Sequence, residues 1–105
     1  MHEPTFLILT ALAGRPRHGY GVIQEVASVS GGRVTLRPGT LYAALDRLVE
    51  EGLVAPDREE VVDGRLRRYY RLTAPGAAAL KAEADRVASN VAVARRRLRA
   101  MGTTA

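Results

Sequence analysis

The chain of 105 residues contains no cysteine and no tryptophan, a single phenylalanine and, among sixteen basic residues, only one lysine. Without cysteine there is neither a disulfide nor thiolate chemistry, and the expected compartment is the cytoplasm. No apolar run reaches the ~18 residues that a bilayer crossing takes, so no membrane partner is expected. The opening stretch MHEPTFLILTALAGRPR carries Glu3, and no Lys or Arg, ahead of a short apolar run, which argues against a secretory signal. Histidine is as scarce. His2 and His18 are the only two, with no cysteine to join them, so no metal site is expected. Nucleophile–base pairs, phosphate-cradling glycine loops and paired carboxylates in a predicted cleft are missing as well. Neither an enzyme nor a cofactor is expected.

What is present is arginine. Sixteen Lys and Arg oppose eleven Asp and Glu, a formal charge of +5, with an isoelectric point of about 10.4. A basic, Arg-rich domain is the electrostatic footprint of a nucleic-acid partner. A genome rich in G and C would raise Arg, Ala and Gly in the same way, so position has to decide. The length fits one small domain, which on folding buries only roughly 60–68% of its unfolded surface and is marginally stable alone.

Periodicity orders the chain. TFLILTALA (5–13) follows Pro4 and reads as a helix, apolar nearly all round and so covered on more than one side. GYGVIQEVASV (19–29) places Val22, Ile23, Val26 and Val29 on one helical stripe before SGGR stops it. RPGTLYAALDRL (37–48) opens a third helix that runs to about Glu51, with Leu41, Leu45 and Leu48 as its buried stripe. Arg37, Thr40, Asp46 and Arg47 lie off that stripe. Strands at 54–62 and 65–72 flank Asp63-Gly64, a strong signal for a two-residue hairpin turn. Pro56 marks the first strand as an edge. In the second, alternation puts Arg68, Tyr70 and Leu72 on one face and Arg65, Arg67, Tyr69 and Arg71 on the other.

Thr73 caps a last helix reaching about Met101. Along it Leu80, Ala84, Val87, Val91, Ala94, Leu98 and Met101 are spaced 4, 3, 4, 3, 4 and 3, the repeat of a coiled-coil seam. About 28 residues make a helix of roughly 42 Å, against about 28 Å for the body formed by the residues before it. Such a helix needs a cover, and a second copy in a two-fold dimer is the simplest. The fold class is thus mainly α with a small β-hairpin: a winged helix-turn-helix DNA-binding domain over 1–72, then a long coiled-coil-like dimerisation helix over 73–105.

Three blocks carry a family likeness: HGYGVIQEV (18–26), PGTLYAALDRLVEEGLV (38–54) and RRYYRLTAPG (67–76). Through them the chain resembles the PadR family of bacterial transcriptional regulators, and its single C-terminal helix is similar to that of the short-form members. The resemblance implies a homodimer held by the last helix and by the first, where Phe6 and Leu9 lie. It also implies a third helix that enters the major groove and a wing that touches the neighbouring backbone. One departure is Arg37, where the family often has a capping Ser or Thr. The missing cap costs roughly 1 kcal/mol, and the cation sits at the positive helix end. Another is the lack of Trp, which puts aside the stacking of planar effectors between tryptophans.

The residues expected on double-stranded DNA are Tyr20, Arg37, Gly39, Thr40, Tyr42, Arg47, Arg65 and Arg67. For Tyr42 the alternative is packing on the wing or second helix. For Arg47 it is pairing with Asp46, Glu50 or Glu51, and for Arg65 and Arg67 pairing with Asp57, Glu59 or Glu60. Tyr20 has the alternative of packing filler. RRRLR (95–99) reads as a solvated helix face or as a partner for acids of an antiparallel second copy. The expected function is a homodimeric, sequence-specific repressor on a palindromic operator, its recognition helices ~34 Å apart. By analogy with the family, a small aromatic effector at the dimer interface releases it. The alternative function is a winged-helix protein-interaction module that docks an acidic partner.

Overall fold

The computed structural model describes residues 1–102. Of the C-terminal unit expected over 73–105, residues 103–105 lie outside the described residues. The elements are α1 (Glu3–Leu12), β1 (Arg17–His18), α2 (Gly19–Val29), α3 (Pro38–Glu50), β2 (Val54–Val62), β3 (Arg65–Leu72) and α4 (Ala74–Ala100). The expected helices and hairpin are all present. β1 is an addition that the sequence reading lacked.

The helices begin and end for local reasons. α3 stops because Gly52 takes φ 78°, a conformation that costs a side-chain-bearing residue but not glycine. Its amide then donates to the Val49 carbonyl and that of Leu53 to the Leu48 carbonyl, both at 3.0 Å, which satisfies two of the helix's last carbonyls. Asp63 and Gly64 have φ of 52° and 74°, the paired positive values of a type I′ hairpin turn. At the head of α4 the Thr73 hydroxyl accepts from the Gly76 amide at 3.0 Å and donates to the Gly52 carbonyl at 2.7 Å. One side chain thus caps α4 and ties its start to the end of α3.

The sheet has the order β1-β3-β2, antiparallel throughout, so β2 is an edge strand as Pro56 indicated. The register slips between Pro56 and Glu59. Arg17 lies opposite Tyr70 and His18 opposite Tyr69. The inner face turns Tyr70 and Val54 onto a core of Ile8, Leu9, Leu12, Val22, Val26, Leu41, Leu45 and Leu48. α1 is buried on most sides, as its apolar run requires. Val29, placed on the α2 stripe, is exposed in the last turn instead.

Two expectations about the dimer residues part company here. Leu9 is 0% exposed within its own chain, so it is a core residue and has no surface left for a partner. Phe6, half-buried at the edge of the core, keeps some. α4 leaves the body after its first turns. Gly76 is buried, Leu80 and Glu83 half-buried, and the seam from Ala84 onward exposed. Val87, Val91 and Leu98 are each 40% exposed and Met101 79%. The molecule measures 59 × 27 × 21 Å, its length set by this helix.

Gly76 is where α4 presses on the body. A Cβ there would run into the Leu53 carbonyl oxygen and come within 2.8 Å of the Leu72 Cδ1. The obstacle is backbone and cannot step aside. Gly76→Ala is therefore expected to destabilise the fold by about 1–3 kcal/mol, read as a lower urea midpoint with an unchanged slope. A midpoint equal to that of the wild type would contradict this packing.

Candidate nucleic-acid interface

The first turn of α3 is exposed and uncapped. Arg37 occupies the N-cap, its carbonyl accepts from the Leu41 amide at 2.9 Å, and its side chain makes no cap bond. Pro38 has no N–H to leave unmade, but the amides that follow point outward from the positive end of the helix. Gly39 is exposed, and a Cβ on it would meet nothing within 4 Å. Neither φ nor a neighbour in the chain demands glycine there.

Tyr42 joins this turn to α2. A Cβ on Gly19 would collide with the Tyr42 hydroxyl and come within 2.7 Å of its Cζ. The bare glycine at the start of α2 therefore seats the ring. Tyr42 is nonetheless 44% exposed: one edge packs on α2, as one alternative held, and the rest faces outward. Tyr20 beside it is 64% exposed and is not packing filler.

β1 extends the same surface to the wing. It brings the His18 ring to 5.3 Å from the Tyr69 ring, tilted by 57°. Arg58 lies 3.9 Å over the other ring partner, Tyr69, whose hydroxyl donates to Glu60 at 2.6 Å. Burial, and then the charge of Arg67, hold the His18 imidazole below its ordinary range, so at neutral pH it is an uncharged ring. The sequence reading left His18 and Arg58 out of the site. The alternation in β3 did place Tyr69 on the arginine face, whereas nothing local to His18 announced a strand partner fifty residues away.

The alternative partners for the wing arginines are already occupied. Glu59 pairs with Arg68 at 3.4 Å, Asp57 with Arg58 at 3.6 Å and with Arg71 at 3.8 Å, and Glu60 holds the Tyr69 hydroxyl. Among the described residues Arg65, Arg67 and Arg37 make no ion pair, and all three are exposed. Arg47 differs. Its Nη2 donates to the Thr5 hydroxyl at 3.0 Å and its Nε lies 3.6 Å from the Glu51 carboxylate, so the pairing alternative is realised there. Thr40, two turns before it on the same side of α3, is exposed.

Charge also tells the two halves of α3 apart. The groove between α3 and the hairpin is lined by Asp46, Glu50, Asp57 and Glu59, opposed by Arg58 and Arg68. An anion finds little attraction there. The positive surface lies at the helix start, with Arg37, and at the wing, with Arg65 and Arg67.

Known proteins share the fold that carries this surface. Residues 8–82 match the transcriptional regulator PadR-like family. The transcriptional regulator Rv3488 of Mycobacterium tuberculosis is 48% identical over 73 residues, which are 70% of this chain and 64% of that protein. The match thus spans a little under two thirds of that relative's length. A PadR family transcription regulator from Clostridium difficile R20291 superposes with a TM-score of 0.72 at 26% identity, over 92% of this chain and 99% of that one. Bacillus subtilis PadR in complex with operator DNA gives a TM-score of 0.67 at 22% identity, over 77% of this chain and 46% of that one, a likeness that speaks for the fold alone. The three sequence blocks, the winged helix that they build and a family match over well more than half its length agree, and the chain belongs to the PadR-like family of transcriptional regulators, not to a family of enzymes.

Proposed function

We propose that the chain is a DNA-binding repressor that acts in the cytoplasm as a homodimer on a palindromic duplex operator. Residues 1–72 carry the DNA contacts and residues 73–105 the pairing. The observation behind the reading is the continuity of three features. They are the uncapped first turn of α3, the Tyr42–Gly19 contact that joins it to the start of α2, and the unpaired Arg65 and Arg67 on the wing. Exposed amides at a helix start suit phosphate. Gly39 leaves room for a backbone or base edge, while Thr40, Tyr20 and Tyr42 offer hydroxyls. Arg37 reaches phosphate or a guanine edge. Arg47 contributes by letting go of Glu51. The relative crystallised with operator DNA has the same fold, which favours duplex DNA over an acidic protein as the partner.

The exposed seam of α4 supports the pairing. Its small layers at Ala84 and Ala94 support a small aromatic effector seated between the two copies, whose binding releases the DNA. Phe6 and the seam residues Leu80, Ala84, Val87, Val91, Ala94, Leu98 and Met101 form that interface.

Arg37→Ser separates the two roles of position 37. A serine caps the helix and raises stability by about 1 kcal/mol, while the loss of a DNA contact lowers operator affinity about tenfold or more, at ~1–3 kcal/mol per contact. Urea unfolding and fluorescence anisotropy on duplex from upstream of the protein's own gene read the two effects. A stabilised variant with undiminished affinity would remove Arg37 from the interface.

The Arg65→Ala/Arg67→Ala double variant should weaken binding to all duplex sequences alike. It should also flatten the dependence of log affinity on log salt by roughly one per lost phosphate contact. If the wild-type dimer neutralises six to ten phosphates, its own affinity falls roughly 10³–10⁵-fold between 50 and 200 mM salt. A flat salt response in the wild type would overturn the DNA-binding reading as a whole.

A further inference from the structure

The groove between α3 and the hairpin has the wrong charge for phosphate, and the DNA reading does not use it. Its volume is about 760 Å³, within the roughly 300–1,000 Å³ common for small-molecule sites. Val49, Pro56 and Tyr70 give it an apolar lining. A bulge in β2 shapes its outer wall. Asp57 and Arg58 together stand opposite Tyr69 alone, between the pairs Pro56–Tyr70 and Glu59–Arg68, and an extra residue of this kind bends an edge strand.

The acids on the hairpin side are taken. Glu59 has Arg68, Asp57 has Arg58 and Arg71, and Glu60 accepts from the Tyr69 hydroxyl. Across the groove, Arg47 turns away to Glu51 and Thr5. Asp46 and Glu50 of α3 are left over, both lining the groove and both exposed. Among the described residues neither makes an ion pair or a side-chain hydrogen bond. Four residues apart, they stand on one side of the helix, where like charges repel each other.

Tyr70 adds a polar group between them and the core. It is only 7% exposed, and its hydroxyl makes no hydrogen bond among the described residues. No fully buried side-chain oxygen is left unbonded among those residues. The open part of Tyr70 is therefore its hydroxyl, and it opens into the groove. Burial, and then the Asp46 carboxylate, hold this phenol above its ordinary range, so it stays protonated and keeps its oxygen lone pairs free to accept.

The charge is thus divided across the groove: negative along α3, and neutralised by local pairs along β2. A divalent metal ion lacks ligands there, since among the described residues no three His, Cys, Asp or Glu side chains converge. A primary ammonium fits better, with three donors and no acceptor. We infer that the groove binds a small organic amine, its ammonium on Asp46, Glu50 and the Tyr70 hydroxyl, and its flat apolar body against Val49 and Pro56. The site needs neither the operator nor a second copy, and it is separate from the effector seat proposed between two copies.

The absence of tryptophan allows a direct test, because the fluorescence of an indole probe has no protein background. Tryptamine is titrated with the protein and its anisotropy read. Indole-3-propionate, with a carboxylate where tryptamine has its ammonium, is the comparison. Tryptamine is expected to bind, and the carboxylate probe to bind about tenfold or more weakly than it. The Asp46→Asn/Glu50→Gln double variant, at exposed positions, should weaken tryptamine about tenfold or more. Tyr70→Phe keeps the ring in the core and drops only the hydroxyl, for a loss of roughly two- to tenfold. Asp85→Asn, which removes an acid outside the groove, should leave tryptamine binding unchanged. Urea midpoints check that each variant folds, and if Tyr70→Phe does not, the double variant decides. No tryptamine binding at about millimolar concentrations, equal affinity for the two probes, or full affinity in the double variant would each overturn the inference and leave the DNA reading intact.

Discussion

The two-residue pairing of Arg17 and His18 with Tyr70 and Tyr69 holds the wing to the helical body. A lone two-stranded hairpin is at best marginally stable in water, and β2 and β3 gain a third strand only from this short segment. Arg17 secures it from below, donating from Nε to the Ala11 carbonyl at 2.7 Å and lying 3.5 Å from Glu25. One side chain therefore ties the end of α1, the middle of α2 and the sheet together. Tyr70 then sinks into the core on one face of β3, and Tyr69 lies against His18 on the other. The wing is set at a fixed angle to α2, and α2 is set against α3 through Gly19 and Tyr42. β1 thus adds to Val54 and Tyr70, which seat the hairpin on the core beside α3, in fixing the wing relative to the helices.

The arginines fall into two kinds, and the division follows the acids. Arg33 forks onto Glu3 at 2.7 and 2.8 Å, Arg86 onto Glu83, Arg68 onto Glu59, and Arg58 and Arg71 share Asp57. These pairs are exposed and contribute little stability each. They do consume the negative charge. Among the described residues, what remains unpaired is Arg15, alone in the bend before β1, and two groups, one at the α3 tip with the wing and one at the end of α4. A codon bias toward arginine would scatter free cations over the surface. Two clusters, each next to a surface that lacks a partner in the chain, are better explained by two partners.

The sequence showed most of the architecture because period and turn chemistry are local. The Leu41, Leu45 and Leu48 stripe, the Asp63-Gly64 turn and the Thr73 cap each state their own structure within a few residues, and each is found as read. β1 was illegible for the opposite reason. Two residues between a proline and a glycine have no period, and only Tyr69 and Tyr70 make them a strand. Leu9 shows a different limit. A run that is apolar on all sides says that every side is covered, but not whether the cover is the same chain or another copy. At the site the same holds for Arg47, whose neighbours Thr5 and Glu51 decide its state. For Arg65 and Arg67 the outcome depended on competition, since Arg68, Arg71 and Tyr69 take the acids first.

Two helix starts in this one chain make the best comparison for the site. α4 opens Thr-Ala-Pro-Gly and α3 opens Arg-Pro-Gly-Thr, both with proline in the first turn and glycine after it. At α4 the threonine hydroxyl caps the Gly76 amide, and Gly76 is buried against the Leu53 carbonyl. At α3 the hydroxyl stands three residues too late to cap, a cation occupies the cap position, and the glycine faces open space. The first arrangement caps the Gly76 amide and buries the glycine within the chain. The second leaves amides free, adds like charge to the positive helix end and forgoes roughly 1 kcal/mol. α1 and α2 also begin without a side-chain cap, at His2 and His18, so the missing cap alone does not mark α3. An exposed arginine at the cap position with an exposed glycine behind it does. That combination lies at the one end of α3 that is positively charged, and that is the end an anionic partner would complete.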